Sequence, residues 1–400
     1  MKIRVGVIFG GVTVEHEVSV ISAVQAMKNM NEDKYEIVPI IGNNGLPFFD
    51  YIDKNYNWYT GKMLMEIDVY KDFDTLKRYA KKVSLIRKDN RFILQSLGFI
   101  KKEVAEIDIA FPIVHGNNME DGTIHGYLQT LGIPYVGCSI LGASLGQDKV
   151  VMKQVMKDAG IPVVPYLWFY DTEYMSNKEQ IELDTNKLGY PVIVKPATLG
   201  SSVGIGVAKN SNELNERVID AIKYDNKIII EKVIENLIEV NCSVIGDYEY
   251  QEVSTTEEVM STHEFLTYKD KYIGGSKGTK SKGMASTNRV IPARINKKEE
   301  EMVKDLSRKT FKALNLSGVC RIDFLIDKKK ENVYVNEPNT IPGSLSFYLW
   351  DKSGKSYKEL LDFLITRAIK NYKNRAKKTH SFETNILSMS GLKGFKGVKK

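Results

Sequence analysis

Short apolar runs and helical apolar periods alternate along residues 1–145. Runs rich in β-branched and aromatic residues predict strands, and apolar positions three to four residues apart predict helices. The pattern places strands at 3–9, 35–41 and 107–114 and helices at 17–30 and 122–131. Such alternation is typical of a parallel sheet with helices on its faces, whose sites form beyond the carboxyl ends of the strands. Two polar loops, at 10–17 and 115–122, occupy such positions.

The pattern changes after residue 145. It predicts helices at 148–159, 211–224, 297–314 and 354–372, and strands from 191, at 227–233 and within 246–260. Residues 262–287 are polar and rich in glycine, lysine and serine, which predicts a mobile lid.

Near the C-terminus, two apolar strands flank a turn without apolar residues, which predicts a β-hairpin over 319–339. A turn centred on Lys330 places Asp323 directly opposite Glu337, and opposed residues of an antiparallel pair share a face. Asn339 falls on the same face because side chains alternate along a strand. Three such oxygen donors suit Mg²⁺ shared with substrate phosphates. The other interpretation is an exposed polar hairpin face, and the next motif argues against it.

That motif is a second hairpin, over 191–207, in which a β-branched strand delivers Lys195 to a loop of small residues, 200–204. Small residues let backbone N–H groups approach a polyphosphate closely, and the lysine adds a positive charge. The Walker pattern G-x-x-x-x-G-K-[ST] is absent, and no helix follows the glycines. A plain turn is the alternative. Arg321 and the oxygen donors of the later hairpin favour a phosphate-binding loop.

Composition narrows the class of protein. A chain of 400 residues predicts two or three domains, and 42% hydrophobic with 27% charged residues is typical of a soluble globular protein. The apolar runs are too short to cross a bilayer, and the N-terminus enters a strand without a signal pattern. Cys138, Cys242 and Cys320 are widely separated among apolar neighbours, which predicts free buried thiols in a reducing cytoplasm and no cysteine metal site.

The net charge of +7 lies in the C-terminal tail. Residues 373–400 hold eight Lys/Arg and one Glu, so 49 basic and 49 acidic residues remain in 1–372. We therefore expect a neutral body and a disordered basic tail. A weak contact of the tail with RNA or anionic lipid stays open, and no firm nucleic-acid or membrane partner is predicted.

The motifs follow one another in a single order over nearly the whole chain except the tail. They are Gly10-Gly11, Glu15-His16-Glu17-Val18-Ser19, His115-Gly116, Glu120-Asp121-Gly122-Thr123, Asp148-Lys149, Val194-Lys195-Pro196, Gly200-Ser201-Ser202-Val203-Gly204, Glu231-Lys232, Glu239, Tyr268, Lys271-Tyr272, Arg321-Ile322-Asp323 and Asn336-Glu337-Pro338-Asn339-Thr340-Ile341-Pro342-Gly343. In this order they resemble the D-alanine–D-alanine ligases of the ATP-grasp superfamily.

The resemblance implies an α/β fold of three domains, with an N-terminal parallel α/β domain and two α+β domains that clasp ATP. The implied boundaries are 1–145 for the N-terminal domain, 146–240 for the central subdomain, 241–372 for the C-terminal metal-binding domain and 373–400 for the tail. It also implies ATP-dependent joining of two D-alanines through an acyl phosphate, for peptidoglycan precursor synthesis. The family further suggests a cytoplasmic homodimer.

The family's functional residues carry over position by position. The resemblance implies catalytic roles for Glu15, Ser201, Tyr272, Arg321 and Gly343. It implies substrate contacts from Glu15, His115, Ser346 and Tyr348. Contacts to ATP are implied for Lys149, Lys195, Gly200, Ser201, Ser202, Glu231, Lys232, Ile234, Glu239 and Lys271. Two Mg²⁺ ions, or Mn²⁺, are implied at Asp323, Glu337 and Asn339.

For two of these residues, the sequence alone supports a purely structural role as the alternative. Glu15 starts a helix, where a carboxylate can simply cap it, whereas the resemblance has it bind the ammonium group of the first amino acid. Without the resemblance, His115 would be interpreted as a structural histidine at the end of a strand, with its hydrogen bonds made within the fold. The permanently charged Arg321 could stabilise both the migrating phosphoryl group and the tetrahedral oxyanion, with the backbone N–H of Gly343 as a second donor.

Four departures from the family pattern are visible. Met119 stands where glycine is usual, Gln147 replaces an apolar residue, and Pro338 separates two metal ligands. The stretch 343–350 is shorter than usual, and there the family binds the carboxylate of the second substrate through a serine, for which Ser346 is the best match. Acceptor identity therefore stays open: D-alanine, or D-serine, D-lactate or another amino acid. A nucleotide-binding regulatory protein without turnover is the third hypothesis.

Overall fold

The computed structural model describes residues 1–11, 13, 15–42, 58–71, 73–116, 119–200, 203–260 and 289–379. Three sheets and the helices around them make up a mixed α/β structure. The predicted lid at 262–287 and residues 380–400 of the predicted tail lie outside the described residues. Residues 373–376, predicted to begin the disordered tail, instead continue the last described helix.

The first sheet has seven strands in the order β6-β5-β4-β3-β2-β1-β7. They are β1 (Ile3–Gly10), β2 (Tyr35–Gly42), β3 (Trp58–Thr60), β4 (Lys81–Lys88), β5 (Arg91–Ser96), β6 (Glu103–Ile107) and β7 (Ile109–Pro112). β1 pairs in parallel with β2 and β7, as predicted, whereas the pairs from β2 to β6 are antiparallel. The antiparallel extension consists of β3, joined to β4 through helical turns within 62–71 and 73–79, and of the short hairpins β4–β5 and β5–β6, which the strand–helix rhythm did not predict.

Helices cover this first sheet. They are α1 (His16–Asn29), α2 (Phe73–Tyr79) and α3 (Thr123–Leu131), with 3₁₀ turns at Lys62–Met65 and Ile67–Lys71. β1 is fully buried from Val5 to Gly10 because it lies between parallel neighbours with both faces covered. The carboxyl ends of β1 and β7 lead into the two predicted loops at the same edge of the sheet, so that prediction is confirmed.

The second sheet is antiparallel, in the order β10-β9-β11-β8. Its strands are β8 (Tyr166–Tyr170), β9 (Val192–Pro196), β10 (Gly206–Ala208) and β11 (Lys227–Lys232). The helices α6 (Asp171–Leu188) and α7 (Ser211–Ile222) share its apolar core. β9 and β10 form the predicted Gly/Ser hairpin, with Gly206 opposite Val194.

The third sheet is also antiparallel, in the order β14-β13-β12-β15-β16. Its strands are β12 (Leu237–Gly246), β13 (Gln251–Val259), β14 (Arg289–Val290), β15 (Gly318–Asp327) and β16 (Asn332–Asn339). One face packs on α4 (Ile140–Gln147), α5 (Lys149–Asp158) and α8 (Lys297–Ala313). Cys138, Cys242 and Cys320 belong to that core as free buried thiols, which confirms their prediction.

The chain ends, within the described part, with α9 (Phe347–Lys352) and α10 (Tyr357–Ala376). α10 starts at Ser356, whose side chain caps the helix by accepting the N–H of Glu359. Its apolar side chains return to the core of the first sheet. In the described residues, each helix is too short or too polar to cross a bilayer.

The predicted boundary at 240/241 falls inside β12, all of whose residues pair with β15. The third sheet therefore begins at Leu237. Likewise, Met152 and Met156 of α5 pack into the core of the third sheet rather than that of the second. The sequence did not locate this because a helix pattern shows which face is apolar but not which sheet will cover it.

Candidate active site

A cavity of about 1220 Å³ lies where the three sheets approach one another. The loops after β1 and β7 line one side, the hairpin β9–β10 and the residues after β11 line another, and the open face of the third sheet forms the floor. Sequence motifs associated with all three sheets therefore line this one cavity.

A bulge in the hairpin β15–β16 decides which side chains reach the cavity. Asp327 pairs with Asn332 and Phe324 with Val335, but Asp323 pairs with Glu337. Asn336 is thus the extra residue, and the turn is centred half a residue before Lys330. The predicted pairing of Asp323 with Glu337 is confirmed, although it arises from the bulge rather than from the assumed turn.

Without that bulge, the alternation of β16 would point Glu337 into the core. Val333 and Val335, at alternate positions with Glu337, are buried in the core of the third sheet. A one-residue shift moves every later side chain to the opposite face. Glu337 and Asn339 therefore line the cavity, and Pro338 is buried in their place, on the edge strand where proline is tolerated.

Polar residues form a row across four strands on the floor of the cavity. Glu257 lies opposite Asn241, Asn241 opposite Asp323, and Asp323 opposite Glu337. Opposed residues in antiparallel strands share a face, and neighbouring strands lie about 4.8 Å apart. We call these four residues the polar row.

Two further rows flank the polar row. On one side Arg321 lies opposite both Ser243 and Asn339. On the other side Glu239 lies opposite Leu325. The floor thus has a partly apolar end, at Glu239 and Leu325, and a cationic end, at Arg321, with the carboxylates of the polar row between them.

Arg321 binds Asp323 with two hydrogen bonds, from Nε to Oδ1 at 2.7 Å and from Nη2 to Oδ2 at 2.8 Å. Burial lowers the pKa of Arg321, but the Asp323 carboxylate outweighs it and raises that pKa well above the usual value. Asn339 Nδ2 lies 3.0 Å from Asp323 Oδ2. Hydrogen bonds to Asp323 therefore fix the positions of both Arg321 and Asn339.

The lysines approach the carboxylates from the opposite side. Lys149 Nζ donates to the carbonyl oxygen of Leu199 at 2.7 Å and lies 3.7 Å from Glu337 Oε2. Lys195 Nζ lies 2.6 Å from Glu231 Oε2, and Lys153 Nζ lies 2.9 Å from Glu231 Oε1. Although burial alone would raise it, the two lysines lower the pKa of Glu231 to about 2.

Other predicted ATP contacts surround this cluster. Gly200, Lys232, Ile234 and Glu239 line the cavity. The ammonium group of Lys232 donates to the carbonyl oxygens of Gly189 at 2.8 Å and Tyr190 at 2.9 Å. Ser201, Ser202, Lys271 and Tyr272 lie outside the described residues.

Glu15 and His115 meet at the loop side of the cavity. Within the described chain, Glu15 makes no side-chain capping hydrogen bond to α1, and its carboxylate lies against Gly116 and Gly200. Burial lowers the pKa of His115 against the opposing effect of the Glu15 charge, and this lowering favours the neutral imidazole. His115 Nε2 lies 3.4 Å from Ser22 Oγ. Glu15 thus occupies the N-cap position of α1 without a side-chain capping hydrogen bond, and its contact with substrate stays a prediction.

Glu120 was part of a motif but was given no role. Its carboxylate accepts hydrogen bonds from the N–H of Gly116 at 3.3 Å, the N–H of Ile341 at 2.9 Å and the hydroxyl of Thr340 at 3.3 Å. Burial and the charge of Glu15 raise the pKa of Glu120 to about 7. Glu120 thus ties the loop after β7 to the segment after β16.

The 343–350 stretch differs from the predicted arrangement. Gly343 lines the cavity, but Ser344, Leu345 and Ser346 adopt positive φ angles of 52°, 53° and 51°. Ser346 is fully buried, does not line the cavity, and its Oγ has no hydrogen-bond partner among the described residues. Tyr348 approaches the cavity wall through a hydrogen bond from its hydroxyl to Glu257 Oε1 at 3.1 Å.

The remaining departures have structural explanations. Met119 is buried and packs against Gly11, where an added Cβ would lie 3.0 Å from Met119 Cγ. Gln147 Nε2 donates to the carbonyl oxygen of Thr198 at 2.6 Å. Both side chains therefore brace loops that border the cavity.

Sequence reasoning missed several residues of the site. They are Glu120, Lys153, Asn241, Glu257 and Arg289. Asn241 could have been found, because Glu239 and Asn241 share a strand face by alternation. Lys153 follows Lys149 by one helical turn, which gives a second signal.

The donor set fits a divalent cation by its chemistry. Asp323, Glu337 and Asn339 place two carboxylates and an amide on one face, and hard cations prefer oxygen ligands. Among the described residues, no group of three or more His, Cys, Asp or Glu side chains is placed so that it could hold a metal ion, so such an ion would also need oxygen atoms from substrate.

The chain matches known proteins along most of its length. Residues 4–138 match the family described as D-ala D-ala ligase N-terminus, and residues 155–366 match D-ala D-ala ligase C-terminus. The D-alanine–D-alanine ligase of Thermosipho melanesiensis is 39% identical over 387 residues, which cover 97% of this chain and 99% of the relative. That of Caldicellulosiruptor bescii is 39% identical, covering 94% and 98%.

Solved structures show the same fold. The D-alanine–D-alanine ligase of Coxiella burnetii superposes with a TM-score of 0.76 at 26% identity, over 94% of this chain and 96% of the other. The VanG D-Ala:D-Ser ligase of Enterococcus faecalis has a TM-score of 0.75 at 28% identity, over 92% and 100%. A Bacillus anthracis ligase in complex with ATP has a TM-score of 0.64 at 25% identity, over 93% and 99%.

The fold is that of an ATP-grasp ligase. This chain belongs to the D-alanine–D-alanine ligase family.

Proposed function

We propose that this enzyme uses ATP to join two D-alanines into D-alanyl-D-alanine, a precursor of peptidoglycan. The observation that carries the proposal is the polar row, with Asp323 opposite Glu337 and Arg321 and Asn339 in the adjoining row. Family membership over nearly the full length supports the same activity.

The nucleoside of ATP would lie at the partly apolar end of the floor. There Glu239 accepts hydrogen bonds from the ribose hydroxyls beside Leu325, and Glu231 accepts from the adenine amino group while holding Lys195. Lys232 and Ile234 border this end. The triphosphate then extends toward Lys149 and Lys195 and under the backbone of the 200–204 loop.

Asp323, Glu337 and Asn339 would hold two Mg²⁺ ions, for which Mn²⁺ could substitute. The ions would disperse phosphate charge during phosphoryl transfer. Arg321, fixed by Asp323, supplies a planar cation beside the transferred group.

The reaction would proceed in two steps. A carboxylate oxygen of the first D-alanine attacks the γ-phosphorus of ATP, and ADP leaves with the bridging oxygen. The amine of the second D-alanine then attacks the carbonyl carbon of the acyl phosphate, loses its proton, and phosphate departs. Arg321 and the N–H of Gly343 stabilise the oxyanion of the tetrahedral intermediate.

Glu15 would hold the ammonium group of the first D-alanine. Neutral His115 would contact its carboxylate by hydrogen bonding rather than by charge. Ser201, Ser202, Lys271 and Tyr272 enter the proposal through the resemblance. Ser201 and Tyr272 would complete the contacts around Glu15, while Ser202 and Lys271 would contact the phosphates.

D-Serine is the second candidate acceptor, because the fold matches the VanG D-Ala:D-Ser ligase as closely as the Coxiella burnetii enzyme. A phosphate-release assay with ATP, Mg²⁺ and a panel of D- and L-amino acids and D-lactate separates the alternatives. Release with D-alanine alone supports the proposal. Release only when another acceptor is added supports a different ligase, and no release under any condition refutes both.

The proposal includes a cytoplasmic homodimer, which the family resemblance supports. Light scattering of the purified protein tests the assembly: a mass near 90 kDa, twice the 45.3 kDa chain, is expected, and a monomer mass would contradict it.

A further inference from the structure

The cationic end of the floor is closed by α9. Trp350 Nε1 donates to Ser243 Oγ at 3.0 Å, and Tyr348 donates to Glu257 Oε1. Both contacts reach residues on the sheet face beside Arg321. Because Ser346 is buried outside the cavity wall, the acceptor's carboxylate must find another partner at this end.

Arg289 lines the cavity, and its backbone pairs with Val259. The Arg289 guanidinium reaches Glu257 and Tyr348, which hold it in one orientation. Its Nη1 donates to Glu257 Oε2 at 3.0 Å, and its guanidinium carbon lies 4.1 Å from the centroid of the Tyr348 ring. Glu257 is itself fixed by Asn241 Nδ2 at 2.8 Å. Stacking and ion pairing together place a planar guanidinium at low entropic cost.

The other cationic side chains on the described cavity wall are engaged elsewhere. They are Lys149, Lys195, Lys232 and Arg321, bound respectively near Glu337, to Glu231, to backbone carbonyls and to Asp323. Among the cations on the described wall, Arg289 is the one to which the proposed function gives no role. A guanidinium matches the geometry of a carboxylate through paired N–H donors.

We propose that Arg289 binds the carboxylate of the acceptor amino acid, with Glu257 and Tyr348 as positioning residues. This inference rests on the proposed ligase function. It places the acceptor amine between Arg289 and Arg321, next to the carbonyl carbon that it attacks.

Hydroxylamine separates acceptor binding from the earlier steps. It has no carboxylate, and its nitrogen can attack the acyl phosphate carbonyl, releasing phosphate and forming D-alanine hydroxamate. The test compares dipeptide and hydroxamate formation by the full-length wild type and by Arg289→Met and Arg289→Lys. Wild-type protein that forms neither product would refute the ligase function itself, and with it this inference.

Arg289→Met should raise the KM for the second D-alanine by about 10- to 100-fold, the loss expected for a hydrogen bond to a charged group. Hydroxamate formation should be unchanged, which also shows that the variant is folded. The KM of Arg289→Lys for the second D-alanine should lie between those of the wild type and Arg289→Met, because a point charge replaces the forked guanidinium. The wild type should prefer D-alanine to D-alaninamide as acceptor, and Arg289→Met should lose that preference.

Arg294→Met is the matched control. Arg294 also pairs with a glutamate of β13, Glu258, at 2.6 Å, but its side chain is 59% exposed. This variant should keep wild-type values for both products. An unchanged acceptor KM in Arg289→Met, or a parallel loss of dipeptide and hydroxamate, would overturn the assignment.

Discussion

Asp323 and Glu337 face each other across β15 and β16 because Asn336 is an extra residue in β16. The bulge separates a buried half of the strand, with Val333 and Val335, from a half that points Glu337 into the cavity. One inserted residue thereby turns a core strand into a site strand.

Glu337→Gln should lower turnover by about 100-fold or more, because a metal-binding carboxylate supplies several kcal/mol of transition-state stabilisation. Glu331→Gln, in the exposed hairpin turn, is the control and should not change the rate. Phosphate release measured across a Mg²⁺ titration checks this. Near-normal activity of Glu337→Gln at millimolar Mg²⁺ would remove Glu337 from the metal site.

Arg321→Lys should retain ATP affinity but lose about 100-fold or more in kcat. The lysine cannot reproduce the two bonds to Asp323 or donate in a fork to the oxyanion. Nucleotide titration by calorimetry and steady-state kinetics provide the two readouts. A lower ATP affinity with unchanged kcat would instead make Arg321 a nucleotide-binding residue.

Alternation and helical period predicted most elements of the fold, because each reports locally which face is buried. Hence the hairpins, α1, α5 and α8 lie close to their predicted positions. Alternation could not predict that α5 packs under the third sheet, since that depends on contacts far apart in sequence. The predicted pairing of Asp323 with Glu337 was correct, but the prediction assumed a different turn position and no bulge. A bulge leaves little trace in the local sequence pattern.

Sequence motifs identified the cavity residues whose own chemistry is distinctive. They did not identify side chains that reach the cavity only through contact with another residue. Lys195, Arg321 and Asp323 stood out because charged residues in apolar strands are unusual. Glu257 and Arg289 lie far apart in sequence and become a unit only when β13 and β14 pair. Ser346 was placed by resemblance, and the left-handed backbone of 344–346 buries it.

Glu231→Gln should destabilise the protein by about 3 kcal/mol at pH 7, because two lysines lose their buried counter-charge. The pKa of Glu231 is about 2 in the fold against an ordinary 4.5. Its contribution is therefore present above pH 4.5 and is lost as the pH falls toward 2. Thermal unfolding at several pH values should show the gap between variant and wild type closing on the acid side. A gap that widens there would contradict the ion-pair account.

Glu120→Gln should show the opposite pH dependence. The pKa of Glu120 is raised to about 7, so its stabilising contribution is present below pH 4.5 and is lost as the pH rises through 7. Relative to wild type, the variant should gain about 1–2 kcal/mol between pH 5 and pH 8, a value reduced for partial exposure. The difference in melting temperature at the two pH values measures this. A constant difference would mean that Glu120 does not titrate in this range.

The most direct test of the whole account follows one oxygen atom. D-Alanine labelled with ¹⁸O in its carboxylate is incubated with the enzyme, ATP and Mg²⁺, and the released phosphate is analysed by mass spectrometry. Attack of the carboxylate on the γ-phosphorus, followed by departure of phosphate from the acyl carbon, predicts one ¹⁸O atom in each phosphate formed with dipeptide. Dipeptide accompanied by unlabelled phosphate would contradict the acyl phosphate and the role assigned to the face of the third sheet.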